Sequence, residues 1–285
     1  MGGFMRKILV IIVLGMLIGS AFQTNAQVIN ESPLDGLYEN MGVIDKKPAP
    51  YPPLRRADVM WQKRIWRTID FREKMNQSFY YPIEPQKTWR SFIQILLDAV
   101  KDGSITAYDI SATDEFLAPL TYYEVIKRQS DSIHRILQRS TPPYDEYDTV
   151  IYTRFDPTRV MQLRLKEDWY FDKHRSQMMV RIIGLCPVMI KERDGEDIPE
   201  PLFWVYFPEA RPVLAKAQMF NRFNDAERKS YDDVFWKRMF SSYIYKESNV
   251  YDRRVSEYVT GIDALFEADR IKNEMFNFEQ SLWEY

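Results

Sequence analysis

Residues 179–207 read MVRIIGLCPVMIKERDGEDIPEPLFWVYF, and they indicate which kind of sheet the chain builds. An apolar run, 179–190, and an almost wholly apolar run, 202–207, flank the polar tetrad 193–196, RDGE. Asp-Gly between two such runs is typical of the tip of a β-hairpin. The stretch therefore predicts two strands around a turn. The second strand is either central in a sheet or an exposed edge that awaits a partner strand.

Helical and strand patterns surround this hairpin. Apolar residues from Trp89 to Val100 recur at i, i+3, i+4 and i+7 between a candidate N-cap, Thr88, and the stop signal Asp102-Gly103. Further helices are predicted over 120–139, from Asp156-Pro157 toward Phe171, over 212–220, and from the candidate cap Ser230 through Trp236. Further strands are predicted over 105–110, 149–155 and 240–247. The expected fold class is α+β, with mixed helices and mostly antiparallel strands.

Two segments of the sequence show a weak internal similarity, which would be expected of an internal repeat. Residues 58–66, DVMWQKRIW, resemble residues 233–240, DVFWKRMF, when one gap is allowed. A true repeat would make two related helix-to-strand halves. Chance similarity is the alternative.

The first 26 residues have the layout of a cleaved secretory signal. Arg6 and Lys7 precede an unbroken apolar run, 8–18, and small or polar residues follow to Ala26. The run is shorter than the about 20 residues that a membrane span needs, although an uncleaved anchor helix is the alternative. We expect a mature protein in the periplasm, with no anchor of its own.

Composition narrows the functional classes. Removing residues 1–26 changes the formal net charge from −2 to −4, which is mild and predicts no nucleic-acid partner. Aromatic residues make up 15% of the chain, which suits a large core and protein–protein interfaces. The single cysteine, Cys186, lies in an apolar run, and the two histidines, His134 and His174, lie in separate elements. We therefore expect Cys186 to be a buried thiol rather than a nucleophile.

Motifs of catalysis are missing from the sequence. It contains no phosphate-binding glycine loop, no G-x-S-x-G elbow, no Cys/His zinc spacing and no calcium loop. We therefore predict no catalytic residue, no cofactor and no metal, and expect that the protein is not an enzyme. A hydrolase with two carboxylates far apart in the chain remains the alternative.

Three segments are candidates for contacts with partners. Residues 27–53 end in PAPYPP, 48–53, which predicts an extended Pro-rich arm that is either a spacer or a segment lying along a neighbouring subunit. Residues 54–67 carry five Lys and Arg against one acid and include two tryptophans. They form either a solvated basic face over core-facing rings or a docking surface for an acidic partner.

The C-terminal segment, 259–285, predicts an amphipathic helix. Its apolar residues recur at spacings of 4, 3, 4, 3 and 4 from Ala264 to Leu282, and its other faces are mostly acidic. This seam packs either on the body, 54–258, or on another chain. The candidate partner-contacting residues of the whole chain are Tyr51, Arg55, Arg56, Trp61, Arg64, Trp66, Trp204, Tyr206, Met275, Phe278 and Leu282.

Three stretches of the sequence, taken in order, are distinctive. The first is WQKRIWRTIDFREKMN, 61–76. The second is KEDWYFDK, 166–173, with the apolar run to Pro187. The third runs from FWVYFP, 203–208, through YKESN, 245–249, to YDRR, 251–254. Together they resemble the gliding-motility GldN (PorN) family of the type IX secretion system, and the resemblance covers about residues 55–258.

This resemblance implies a periplasmic structural protein. Members associate with an outer-membrane lipoprotein of the GldK/PorK type in a large ring and contact the periplasmic domain of the GldM/PorM type motor protein. Membrane association is then indirect, through partners, and no catalytic residue is carried over from the family. Self-association in a ring needs two different patches per subunit, for which 27–53 and the acidic C-terminal helix are our candidates. The alternative is an exported hydrolase or glycan-binding protein of the cell envelope.

Overall fold

A computed structural model describes residues 45–282, except 87–88, 112, 130, 139, 141–145, 154, 194, 223 and 225. The predicted signal peptide, the first part of the predicted arm (27–44) and the candidate cap Thr88 lie outside the described residues.

One antiparallel sheet of eight strands organises the described chain. Its order is β12-β1-β6-β7-β9-β2-β3, and β8 pairs with the outer part of β7. The strands of this sheet are β1 (Val59–Asp70), β2 (Ala107–Tyr108), β3 (Pro119–Leu120), β6 (Val160–Asp172), β7 (Gln177–Arg193), β8 (Glu196–Pro201), β9 (Trp204–Tyr206) and β12 (Tyr243–Glu247). Two separate pairs are β4 (Asp131–Gln138) with β5 (Glu146–Thr153), and β10 (Gln218–Met219) with β11 (Lys229–Ser230).

Six α-helices lie in the described chain. They are α1 (Gln77–Tyr80), α2 (Phe92–Lys101), α3 (Tyr122–Gln129), α4 (Phe207–Lys216), α5 (Tyr231–Trp236) and α6 (Ile262–Ser281). A capping box joins Ser91 to Gln94 at the start of α2, and another joins Ser230 to Asp233 at the start of α5. Single 3-10 turns cover Arg56–Asp58, Pro157–Arg159 and Val255–Glu257. The α+β fold class is confirmed.

A hairpin turn between Arg193 and Glu196 is confirmed, but the strand that returns from it is Glu196–Pro201 rather than 202–207, where β9 covers Trp204–Tyr206 and a helix begins at Phe207. Strand β7 runs to Arg193, and β8 returns along it from Glu196 past Gly195, whose φ of +82° suits glycine. Strand β9 pairs with β7 on one side and β2 on the other. Of the two alternatives for 202–207, the central position is therefore the observed one.

The register gives the sheet two chemically different faces, because successive side chains of a strand point to opposite sides. Ile69 pairs with Leu163, and Leu185 pairs with Val205; these residues mark the helical face, where α2, α4 and α5 supply many of the other core residues. The pairs Trp66–Lys166, Arg64–Asp168 and Lys166–Gly184 mark the opposite side, which we call the open face.

The core of the helical face is an aromatic cluster. The Phe79 ring centroid lies 5.7 Å from Phe92, 5.9 Å from Tyr231 and 5.6 Å from Phe235. All four rings are at most 1% exposed. Aromatic pairs at this spacing contribute beyond their buried area, so this cluster fixes α1, α2 and α5 to one another.

Two helix predictions are wrong. The helix predicted over 120–139 ends at Gln129 and is followed by β4, which pairs along its whole length with β5. The helix predicted toward Phe171 is a single 3-10 turn after the cap Asp156, and β6 follows from Val160. In both cases a distant strand supplies hydrogen-bond partners that local periodicity does not reveal.

The weak internal similarity of 58–66 and 233–240 does not correspond to a structural repeat. Residues 59–70 form β1, whereas 231–236 form α5, so the matched segments fold differently and do not form two related halves. Other predicted elements differ in their bounds. The strand at 105–110 is Ala107–Tyr108, and the helix predicted over 212–220 begins at Phe207.

Candidate interaction surfaces

The described end of the arm, 45–53, lies on the protein's own body. Tyr51 is held between Arg211, whose guanidinium carbon lies 4.4 Å from the Tyr51 ring centroid, and Trp236, whose ring centroid is 5.5 Å away. Arg211 is itself fixed by a buried bidentate pair with Asp232, at 2.8 and 3.1 Å. Desolvation is the main cause that raises the pKa of Tyr51, so the phenol stays neutral at physiological pH.

Backbone contacts extend this anchor. Arg181 donates to the Pro52 carbonyl at 2.9 Å, and Arg175 donates to the Pro53 carbonyl at 3.2 Å. Arg175 is positioned by Asp172, at 2.6 Å, and this guanidinium lowers the pKa of the Asp172 carboxyl. Lys46 forms a further ion pair with Asp233. The described part of the arm is therefore docked, with Tyr51 as its side-chain anchor.

The basic stretch 54–67 is paired mainly with acids of the same chain. Arg64 makes a bidentate pair with Asp168, at 2.6 and 2.9 Å, and Arg55 pairs with Asp58 on the surface. Arg56 is exposed. Trp66 is 6% exposed and donates its indole N–H to Asp114 at 2.6 Å. This geometry matches the description of a solvated basic face over a core-facing tryptophan.

A groove of about 690 Å³ crosses the open face, and we call it the charged groove. Cationic, acidic and tryptophan side chains share its lining, which includes Arg64, Trp66, Asp114, Arg164, Trp204, Lys246 and Asp252. At its edge, the Phe116 ring packs so closely on Gly184 that a Cβ there would lie 2.6 Å from the ring. Tyr206 is partly exposed, and its ring centroid lies 5.6 Å from that of Phe116.

Lys166 is the buried cation beside the charged groove. Its ammonium donates to the Asp114 carbonyl at 2.7 Å and lies 3.1 Å from the Asp114 carboxylate. Desolvation lowers the pKa of Lys166, and the Asp114 charge opposes that shift.

In the charged groove the tryptophan rings are largely covered, and two of the three carboxylates in its lining are paired with lysines; the third is Glu115. Trp66 and Trp204 are each only 6% exposed, and the Lys246 ammonium covers the Trp66 ring at 4.6 Å, so these rings present no open platform to a sugar. Asp114 pairs with Lys166, and Asp252 pairs with Lys246 at 2.6 Å. Within the described residues, no group of three or more His, Cys, Asp or Glu side chains is placed to hold a metal ion.

The C-terminal helix α6 packs on the body through its predicted seam. Ala268, Ile271 and Met275 are buried against Ile65 and Ile244. A further candidate residue extends this contact: Phe278 stacks on Trp61 with ring centroids 4.9 Å apart. Leu282 is half-buried. Of the two alternatives for the seam, packing on the protein's own body is the observed one.

The opposite side of α6 carries apolar residues that sequence reasoning missed. Ile262, Leu265, Phe266 and Phe276 are 71, 56, 66 and 55% exposed, and Asp269 lies among them. Their spacing of 3 and 4 with Asp269 and Asn273 places them on one face of the helix, and we call this face the outer stripe. A helical wheel of 262–276 could have found it, because the stripe lies opposite the seam.

A second groove, of about 880 Å³, was also missed, and we call it the apolar groove. Its lining comes from three separate segments, 74–81, 219–222 and 229–240, which only the fold brings together. Four of its apolar side chains are 40–62% exposed: Met75, Tyr81, Phe220 and Met239. Every charged residue in the lining is a cation: Lys74, Arg222, Lys229 and Arg238.

Two further observations bear on reactivity and on membranes. Cys186 is fully buried, and burial raises its pKa to about 12, so the expectation of a buried thiol is confirmed. Among the described residues, none of the helices has both the length and the apolar character to cross a bilayer.

The fold and these surfaces define an α+β protein built around one eight-stranded sheet, whose notable features are grooves and an exposed helix face. The family model described as "Gliding motility associated protein GldN" matches residues 54–284. The chain therefore belongs to the GldN family and is a gliding-motility-associated protein, in agreement with the resemblance in its three stretches. No curated protein matches the chain.

Proposed function

We propose that the chain is a non-enzymatic structural component of the type IX secretion and gliding-motility machinery. In this proposal it resides in the periplasm and forms a ring with an outer-membrane lipoprotein of the GldK/PorK type. It also contacts the periplasmic domain of the GldM/PorM type motor protein. The observation that carries the proposal is the match to the GldN family over residues 54–284.

The physical features of the body support a scaffolding role. Strands β1, β6 and β7 contain 12, 13 and 17 residues and are paired side by side. At about 3.3 Å per residue, the longest strand is roughly 56 Å long, and different parts of it pair with β6, β8 and β9. Such a sheet resists shear between its ends, which suits a subunit that transmits position or force between an outer-membrane ring and a motor.

Copurification from envelopes tests the proposal. A tagged full-length chain, expressed in its own cells, is captured from detergent-solubilised envelopes, sized, and identified by mass spectrometry. A very large particle that contains a lipoprotein and the motor's periplasmic protein is expected. A lone small species would contradict the proposal and would favour the exported hydrolase or glycan-binding alternative.

Removing the leader provides the matched control for location. A variant that begins at Gln27 behind a new Met retains the whole described body but lacks the proposed export signal. It should fold, remain in the cytoplasm and fail to enter the particle. Efficient export of this variant would contradict the assignment of residues 1–26.

A further inference from the structure

The apolar groove is concave and the outer stripe is convex, and both expose apolar side chains beside charged ones. The groove's volume, about 880 Å³, lies within the range of about 300–1,000 Å³ that is typical of ligand pockets. Exposed apolar patches rimmed by polar residues commonly mark protein contacts. The charged residues in the groove's lining are all cations, although Lys229 and Arg238 already pair with Glu227 and Glu167. The stripe is a convex helix face whose apolar side chains flank one carboxylate, Asp269, with the exposed Lys272 one turn further along the helix.

The carboxylates of α6 lie where they could meet the cations of that lining. Asp269 lies within the outer stripe, and Asp263 is an exposed residue one turn from Phe266. On the other side, Lys74 is exposed at the groove's edge, whereas Lys229 is half-buried and already pairs with Glu227 at 3.4 Å. Opposite charges around an apolar contact speed encounter and set its register, because mismatched registers juxtapose like charges.

A copy cannot fill its own groove with its own stripe while the seam is in place. Ala268, Ile271 and Met275 fix α6 to β1 and β12, and the stripe points away from that contact. The two surfaces therefore remain available on one subunit at the same time.

We propose that the outer stripe of α6 on one copy docks into the apolar groove of a second copy of this chain. The proposal rests on the proposed function and deepens it, since it names the two surfaces through which copies associate. The contact joins different patches, so it is heterologous and leaves each end of a dimer with one unfilled surface. Repetition gives a closed ring when the rotation per step closes, and an open filament when it does not.

Disulfide trapping between copies tests the contact directly. Met239 in the groove and Phe266 in the stripe are replaced by cysteine on separate full-length mature chains, M239C and F266C. Cys186 is fully buried and does not compete. Mixed under mild oxidation, M239C and F266C should form a covalent heterodimer in high yield. The matched control pairs M239C with Y123C, because Tyr123 is 71% exposed on α3, outside both surfaces.

A charge inversion provides a second, independent measurement. K74E inverts the exposed cation at the groove's edge, and D269K inverts the carboxylate within the stripe. Each variant should weaken self-association measured by sedimentation by about threefold or more, because like charges then face each other. Mixing the two inverted chains restores opposite charges, so heterotypic association between them should return toward the unmodified level.

The outcomes separate this inference from the proposed function. Trapping of M239C with F266C no better than with Y123C, or no recovery on mixing the inverted chains, overturns the stripe-in-groove contact. If copurification with the lipoprotein persists in that case, the proposed function stands and copies associate through other surfaces. Efficient specific trapping without any lipoprotein in the envelope particle would support the contact and contradict the proposed partner.

Discussion

The two faces of the central sheet place the same kind of ion pair, a carboxylate with an arginine, in different environments. On the helical face, Glu167 is fully buried and receives two N–H groups of Arg238, at 2.8 and 3.2 Å. On the open face, its neighbour Asp168 pairs with Arg64 at similar distances, 2.6 and 2.9 Å, but Arg64 is partly exposed. Adjacent carboxylates of one strand thus form the same bond in a dry and a wet environment.

This difference shows where stability and where recognition reside. A buried charge that loses its partner has no water to replace it, whereas an exposed one is solvated again. The fully buried pairs should therefore contribute most to the stability of the fold. Partly exposed contacts, such as that of Arg64 with Asp168, and the exposed outer stripe can change at little cost, which suits surfaces that bind other proteins.

The largest expected effect is that of Glu167→Gln. The substitution removes the negative charge between Arg238 and Arg67, and burial already lowers the pKa of Arg67. Breaking a buried pair of this kind costs about 3–5 kcal/mol of unfolding free energy. Urea unfolding followed by tryptophan fluorescence measures it.

The matched control is the next residue on the same strand. Asp168→Asn removes a bidentate partner of Arg64 on the open face, and it should cost at most about 1 kcal/mol. Equal losses for the two variants would contradict the distinction between a dry and a wet face.

The next effect is that of Gly184→Ala, which probes the packing of the open face. The new Cβ would lie 2.6 Å from the Phe116 ring, which also contacts Trp204. Overpacking of this kind costs about 1–3 kcal/mol, again read from urea unfolding. Phe116→Ala removes the nearer obstruction and leaves the Trp204 ring 3.2 Å from the new Cβ, so adding Gly184→Ala to it should cost less than adding it to the natural chain. Strictly additive costs would show that Phe116 is not the obstacle.

The same contrast explains what the sequence could predict. The hairpin turn between Arg193 and Glu196 and the seam of α6 were predictable, because each is a local pattern. Strand β6 was assigned to a helix, because Asp156-Pro157 is a genuine capping signal that here starts only one 3-10 turn. The alternation of Leu163 and Leu165 with Arg164 and Lys166 indicated the strand, but its two-faced environment depends on distant partners.

The candidate surfaces divide in the same way. The outer stripe lies on one helix, so its spacing was readable from residues 262–276. The apolar groove joins 74–81 with 219–222 and 229–240, and no local pattern could bring those segments together. The cradle of Tyr51 likewise needs Arg211 from α4 and Trp236 from α5.

A smaller effect is expected for Tyr51→Ala, which removes the side-chain anchor of the arm. The cation–π contacts with Arg211 and Arg181 should contribute about 1–2 kcal/mol to docking, since Arg211 is largely desolvated. A fluorophore on an introduced cysteine, Asp45→Cys, reports the arm's mobility by anisotropy. Tyr51→Ala should lower the anisotropy, whereas the exposed control Tyr123→Ala should leave it unchanged. An unchanged anisotropy for both would show that the backbone contacts of the arm suffice.

The smallest effect is a pH dependence of the same docking, through Asp172. Its pKa is lowered by the Arg175 guanidinium and by backbone N–H groups, so the folded state favours the ionised form. A carboxyl with a lowered folded pKa contributes stability above its unfolded value, about 3.9, and loses that contribution as pH falls through the folded value. Arg175 also holds the Pro53 carbonyl, so protonation of Asp172 frees both ends of this bridge. The anisotropy of the labelled arm should therefore stay constant from pH 7 to about 4 and fall below that.

In the control variant Asp172→Asn this fall in anisotropy should vanish, because no proton is left to bind at that position. A fall that persists there would assign the pH dependence to another carboxyl, such as Asp233 beside Lys46.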